Sequence, residues 1–92
     1  METAEEISRS LISQHMAACV NLLPGIISIY EWDGKIERSQ EVLLLIKSTE
    51  QRQETIRKLV LEKHPYELPE LVTVTVTAGH EDYLNWIEQC TK

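Results

Sequence analysis

The apolar positions change period several times along the chain, and each change marks an element. Ala4, Ile7, Leu11 and Ile12 recur at helical spacing, which predicts a first helix from Thr3 to Met16. Thr3-Ala4-Glu5-Glu6 reads as a capping box, in which Thr3 caps and Glu6 reaches back to the N-cap N–H. Ala17 to Leu22 is a short apolar segment with the look of a strand. Pro24-Gly25 then makes a turn or a bulge inside a longer extended stretch. Ile26 to Trp32 is rich in β-branched and aromatic residues and reads as strand. Asp33-Gly34 is a two-residue hairpin signal. The return strand starts at Lys35 and can run to Lys47. Its first half is polar, whereas Val42-Leu43-Leu44-Leu45-Ile46 is apolar on both faces.

Ser48 opens a second helix, with Gln51 at capping-box spacing and Ile56, Leu59 and Val60 as its core face. His64-Pro65 stops it, because proline has no N–H to donate and its ring clashes with the preceding turn. Leu71 to Thr77 alternates: Val72, Val74 and Val76 share one face, while Leu71, Thr73, Thr75 and Thr77 share the other. That pattern predicts a third strand. Ala78-Gly79 turns the chain, and Glu81 and Asp82 place acids at the positive end of a third helix. Tyr83, Leu84, Ile87 and Cys90 form its apolar stripe. The expected order is αββαβα in one α+β domain spanning residues 1–92, with an antiparallel sheet and the helices on one face.

Two features predict assembly. A strand from Lys35 to Lys47 is about 43 Å long at roughly 3.3 Å per residue. A compact domain of this size is only about 32 Å across. The polar end of the hairpin should therefore project and pair with a neighbour. The strand Val42 to Ile46 also needs cover on both faces, and helices on one side leave the other to a partner subunit; mixed cover within one chain is the plainer alternative.

Composition narrows the function. The chain has 42% hydrophobic and 26% charged residues, an ordinary globular balance. Its net charge of -6 argues against nucleic acid and against anionic lipid surfaces as partners. Cys19 and Cys90 are too few for a disulfide scaffold and lie in apolar patterns, which suits a reducing, cytoplasmic setting. No apolar run is long enough to span a bilayer, and the acidic N-terminus is no signal peptide.

The densest chemistry lies in His64-Pro65-Tyr66-Glu67: an imidazole, a rigid turn, a phenol and a carboxylate. Neutral imidazole is a common ligand for copper and zinc. His64 and Glu67 are therefore the candidate metal ligands, although a site needs further donors from neighbours. The plainer alternative is a helix stop, with His64 favourably placed at a helix C-terminus. Tyr66, Trp32, Lys47 and Cys19 are candidate cleft-lining residues. Lys47 is placed to pair with Glu67 or with an anionic ligand. Three have a structural alternative: Cys19 as a buried small residue, Trp32 as packing, Lys47 as a solvated strand terminus. No Ser-His-Asp order, CxxC, HExxH, phosphate-binding glycine loop or EF-hand loop is present.

Larger blocks carry a resemblance. Ala17-Ala18-Cys19-Val20-Asn21-Leu22-Leu23-Pro24-Gly25, Ile29-Tyr30-Glu31-Trp32-Asp33-Gly34-Lys35-Ile36-Glu37 and Glu41-Val42-Leu43-Leu44-Leu45-Ile46-Lys47 resemble the CutA family of divalent-cation tolerance proteins. His64-Pro65-Tyr66-Glu67, Pro69-Glu70, Val76-Thr77-Ala78-Gly79 and Tyr83-Leu84-Asn85-Trp86-Ile87 extend the match in order. The resemblance implies a ferredoxin-like fold and a tight homotrimer, similar to the trimeric PII signalling proteins. It implies tolerance to Cu(II) or other divalent cations, with a metal or small ligand bound near a cleft between subunits and no enzymatic activity. Animal members are associated with anchoring acetylcholinesterase. The alternative function is therefore a trimeric scaffold or regulator that holds a protein partner. Family members normally begin with a strand before the first helix, and this chain is expected to lack it. The bacterial copper-site pattern uses a cysteine in that strand and two adjacent histidines. Of that set only His64 is matched, with Lys63 beside it.

Overall fold

The computed structural model describes residues 1–63 and 70–92. The described elements are α1 (Glu2–Ser13), β1 (Cys19–Trp32), β2 (Lys35–Lys47), a 3₁₀ turn (Glu50–Arg52), α2 (Gln53–Lys63) and α3 (Glu81–Cys90). The architecture is α+β, as the apolar periods predict.

Helix α1 begins one residue earlier than expected and ends three residues sooner. Met1 is the N-cap, and its carbonyl accepts the Glu5 N–H at 2.9 Å, so Thr3 lies inside the first turn and no capping box forms. At the other end His15 adopts φ 58°. Its N–H reaches the Ile12 carbonyl, and the Met16 N–H reaches that of Leu11 at 2.9 Å. This is a Schellman stop, which satisfies carbonyls that the helix would otherwise leave open. Ala4, Ile7 and Leu11 are buried as expected, but Ile12 is exposed.

Strands β1 and β2 form an antiparallel hairpin. Asp33 (φ 56°) and Gly34 (φ 79°) close it with the doubly left-handed backbone that a tight turn of this twist requires. Between Leu23 and Ile26 the register shifts, and Gly25 takes φ 76° there, so Pro24-Gly25 is a bulge. The molecule extends 45 × 26 × 21 Å, and the long axis is that expected of the projecting hairpin. Its outer half runs beyond the helices, which leaves Ile27, Ile29 and Ile36 exposed.

Ser48 does not start α2. Thr49 is the N-cap of the 3₁₀ turn, with no side-chain cap. The Ser48 hydroxyl donates instead to the Met16 carbonyl, tying the end of α1 to the exit of β2. Ile7, Leu11, Ala17, Ile56, Leu59 and Val60 form the core, and Val20, Leu44, Ile46 and Leu71 pack against it. Burying each of the larger aliphatic side chains contributes about 1.5–3 kcal/mol. On α3 only Ile87 is buried; Tyr83 is exposed, and Leu84 and Cys90 are half-buried. The predicted stripe is thus narrower than the sequence indicates.

The third predicted strand does not form a ladder. No strand is present over residues 70–80, and Val72, Val74 and Val76 stand 74%, 83% and 71% exposed. Alternation records a capacity to be half-buried; a strand also needs an edge to pair with. Among the described residues neither edge of the hairpin takes this segment. No described helix is long and apolar enough to cross a membrane.

Candidate functional site

The bulge sorts the side chains of the hairpin. Opposed residues of an antiparallel pair share a face, and faces alternate along each strand. Val20 and Leu22 lie with Leu44 and Ile46 on the helix side. Cys19, Asn21 and Leu23 lie with Lys47, Leu45 and Leu43 on the helix-free side. The extra residue at Pro24-Gly25 inverts the parity of β1. Beyond it Ile26, Ser28, Tyr30 and Trp32 join the helix-free face, opposite Glu41, Ser39, Glu37 and Lys35.

That face has three regions. At its base the Lys47 ammonium donates to the Asn21 side-chain carbonyl and lies 3.9 Å from the Cys19 thiol. Two predicted cleft residues, Cys19 and Lys47, therefore meet, and both are half-buried. In the middle, Ser28 and Ser39 donate to the two carboxylate oxygens of Glu41. At the tip, Tyr30 and Trp32 stand side by side and exposed. Trp32 is separated from Cys19 by the length of β1, about 40 Å at 3.3 Å per residue. Trp32 and Lys47 of one chain therefore cannot line the same cleft.

His64, Tyr66 and Glu67 lie outside the described residues, as do Pro65 and Pro69. Lys63, which stands beside His64, is 3.5 Å from the Glu6 carboxylate, an ion pair between α2 and α1. Among the described residues no three His, Cys, Asp or Glu side chains gather as a metal set. The described residues alone therefore do not fit a divalent ion. His15 follows the C-cap of α1, and His80 is the N-cap of α3.

The shifted acid–base groups lie elsewhere. On the exposed face of α2 the Arg57 guanidinium donates to Glu54, holding that carboxyl below its ordinary range while the guanidinium is raised in turn. An open depression of about 420 Å³ lies between the turn before α2 and the end of α3, lined by Thr49, Glu50, Gln51, Glu88, Thr91 and Lys92. It contains none of the predicted site residues.

Sequence reasoning missed two features. The Ser28–Glu41–Ser39 group becomes visible only when the parity change at Pro24-Gly25 is counted through to Ser28. Tyr83 and Trp86 pair on α3 with ring centroids 5.7 Å apart and remain exposed, although spacing assigned Tyr83 to the apolar stripe of that helix.

The family model for the CutA1 divalent ion tolerance protein matches residues 1–90. Protein CutA of Mus musculus is 43% identical over 91 residues, covering 99% of this chain and 51% of that protein. The divalent-cation tolerance protein CutA of Thermus thermophilus is 39% identical over 90 residues, covering 98% of this chain and 87% of that protein. This chain thus spans about half the length of the mouse relative. Among solved structures, CutA from Xylella fastidiosa superposes with a TM-score of 0.97 at 42% identity, covering 100% of this chain and 88% of that one. The fold is ferredoxin-like, as the resemblance implied.

Proposed function

We propose a role in divalent-cation homeostasis from one premise: this chain belongs to the CutA1 divalent ion tolerance family. Three copies assemble through the helix-free sheet face and the projecting hairpin. A divalent metal ion such as Cu(II), or a small ligand, binds without enzymatic turnover near the segment of His64 and Glu67, in a cleft between subunits. The setting is cytoplasmic, which suits the free thiols of Cys19 and Cys90.

The observation that carries this is the uncovered sheet face. Leu23, Leu43, Leu45, Tyr30 and Trp32 form an exposed strip on a hairpin too long for one domain. The exposed apolar residues fall into two groups on that face, Tyr30 and Trp32 at the tip and Leu23, Leu43 and Leu45 at the base, and a partner that covers the face buries both. The separation of Trp32 from Lys47 and Cys19 fits the same assembly. One subunit's tip has to reach another's base before these residues share a cleft with Tyr66. An imidazole and a carboxylate are borderline and hard donors, so the site suits Cu(II) or Zn(II) better than Cu(I).

The test is calorimetric titration of Cu(II) into the wild type and into His64→Ala, each with its mass measured by light scattering. The expected result is a trimer in both, with copper affinity lost in the variant. Equal affinity in the two proteins removes His64 as a ligand. A monomeric wild type removes the inter-subunit cleft.

A second function has its own observation. The exposed Tyr83–Trp86 pair offers two rigid aromatic rings of the kind that anchor protein interfaces. In that case the trimer is a scaffold for a protein partner, and Trp86→Ala abolishes the partner's binding while leaving copper affinity unchanged.

A further inference from the structure

The middle of the helix-free face interrupts the apolar strip. Ser28 and Ser39 oppose each other across the hairpin, and Glu41 is the next residue along that face of β2. The Ser28 hydroxyl donates to one carboxylate oxygen at 3.1 Å and the Ser39 hydroxyl to the other at 2.9 Å. All three residues are half-buried within a single chain. Toward the tip lie exposed Tyr30 and Trp32; toward the base lie exposed Leu23, Leu43 and Leu45.

An apolar strip of period two has no preferred register, because a slip of two residues again sets apolar on apolar. The serine–glutamate group is the half-buried polar interruption of that strip, whereas Lys35 and Glu37 at the tip and Asn21 at the base are exposed. A carboxylate that is covered must keep polar neighbours or lose its hydration without return. The occupant of the face is also constrained by charge. Lys35 and Lys47 balance Glu37 and Glu41 there, although the chain as a whole carries -6. A second copy of this acidic chain meets a neutral surface on this face, without the repulsion that its net charge produces elsewhere.

We propose that Glu41, held by Ser28 and Ser39, fixes the register in which copies of this chain seat on one another's sheet faces, and with it the number of copies. This rests on the assembly proposed above. In the matched register the carboxylate keeps its two hydroxyls and a polar or hydrated neighbour. In a slipped register a leucine or an aromatic ring covers it, and the slipped assembly is excluded. The group acts by rejecting wrong arrangements more than by tightening the right one.

The test is native mass spectrometry with light scattering on the full chain, as wild type, Glu41→Gln, Glu41→Leu and Ser28→Ala/Ser39→Ala. The wild type and Glu41→Gln are expected to show one stoichiometry, since the amide still accepts a hydroxyl hydrogen bond. Glu41→Leu is expected to spread over two or more masses or into aggregates, with an unchanged helical circular-dichroism signal. The double serine variant is expected to dissociate about tenfold more readily, having left the carboxylate without its donors. A Glu41→Leu protein with the wild type's single mass overturns the inference and leaves the assembly standing. A monomeric wild type overturns both. Should Glu41→Leu lose its helical signal, the double serine variant decides, and unchanged dissociation overturns the inference.

Discussion

Replacing Leu43 by aspartate puts a carboxylate at the base of the exposed strip without touching the core. Leu43 lies on the helix-free side of β2 and is 42% exposed in a single chain. Covering a whole leucine side chain stabilises by about 1.5–3 kcal/mol, so covering that remaining fraction contributes roughly 0.6–1.3 kcal/mol per subunit. The aspartate loses this and adds an unpaired carboxylate at a covered position, which costs about 3–5 kcal/mol. The sum is roughly 4–6 kcal/mol per subunit, or about 12–18 kcal/mol for a three-chain assembly. Light scattering at micromolar concentration should therefore read a monomer for Leu43→Asp. Leu43→Ala, which removes only the apolar contribution, should remain assembled at the same concentration. The helical signal should persist in both, because the core lies on the other face of the hairpin. An assembled Leu43→Asp protein of wild-type mass would refute the assignment of this face as the interface.

Other outcomes follow from the same physics. Leu11 is fully buried at the centre of the core, so Leu11→Ala should cost about 2–5 kcal/mol, read as a lowered denaturation midpoint in urea. His15 holds a left-handed conformation at the end of α1, which costs an L-residue about 1–2 kcal/mol. His15→Gly should raise the urea midpoint, and an unchanged or lower midpoint would show that the imidazole offsets the backbone strain. Glu54 is held below its ordinary range by Arg57, so its contribution is present above the unfolded carboxyl value and fades as pH falls through the lowered folded one. The pair is solvent-exposed, so Glu54→Gln should shift the acid-unfolding profile only slightly, and a large shift would contradict that exposure.

Much of the hairpin was legible because its signals are local. Asp33-Gly34 demands a backbone that few other residue pairs accept, and the strand Lys35–Lys47 starts and ends where its pattern does. Pro24-Gly25 was readable as an interruption. The helix boundaries were less legible. Thr3 and Ser48 have the right chemistry for caps, yet Met1 and Thr49 hold those positions. Cap chemistry is shared with other hydrogen-bonding uses, and the Ser48 hydroxyl is engaged by the Met16 carbonyl. For the candidate site, residue types were readable and neighbourhoods were not. Nothing local says that Lys47 meets Cys19, or that Glu41 meets Ser28.

The sequence by itself determined the kinds of element, the long hairpin, the core faces of α1 and α2, and family membership. These depend on period, on special backbone positions and on residues close in the chain. Tertiary structure alone decided which face of the sheet stayed bare. It also left residues 71–77 without a ladder, despite their alternation. A strand's pattern states what it is able to bury, whereas pairing and cover depend on what stands beside it in space. The single extra residue at the bulge then placed Ser28, Tyr30 and Trp32 on the same face as Cys19 and Lys47, because a shift of one residue in a period of two inverts every side chain beyond it.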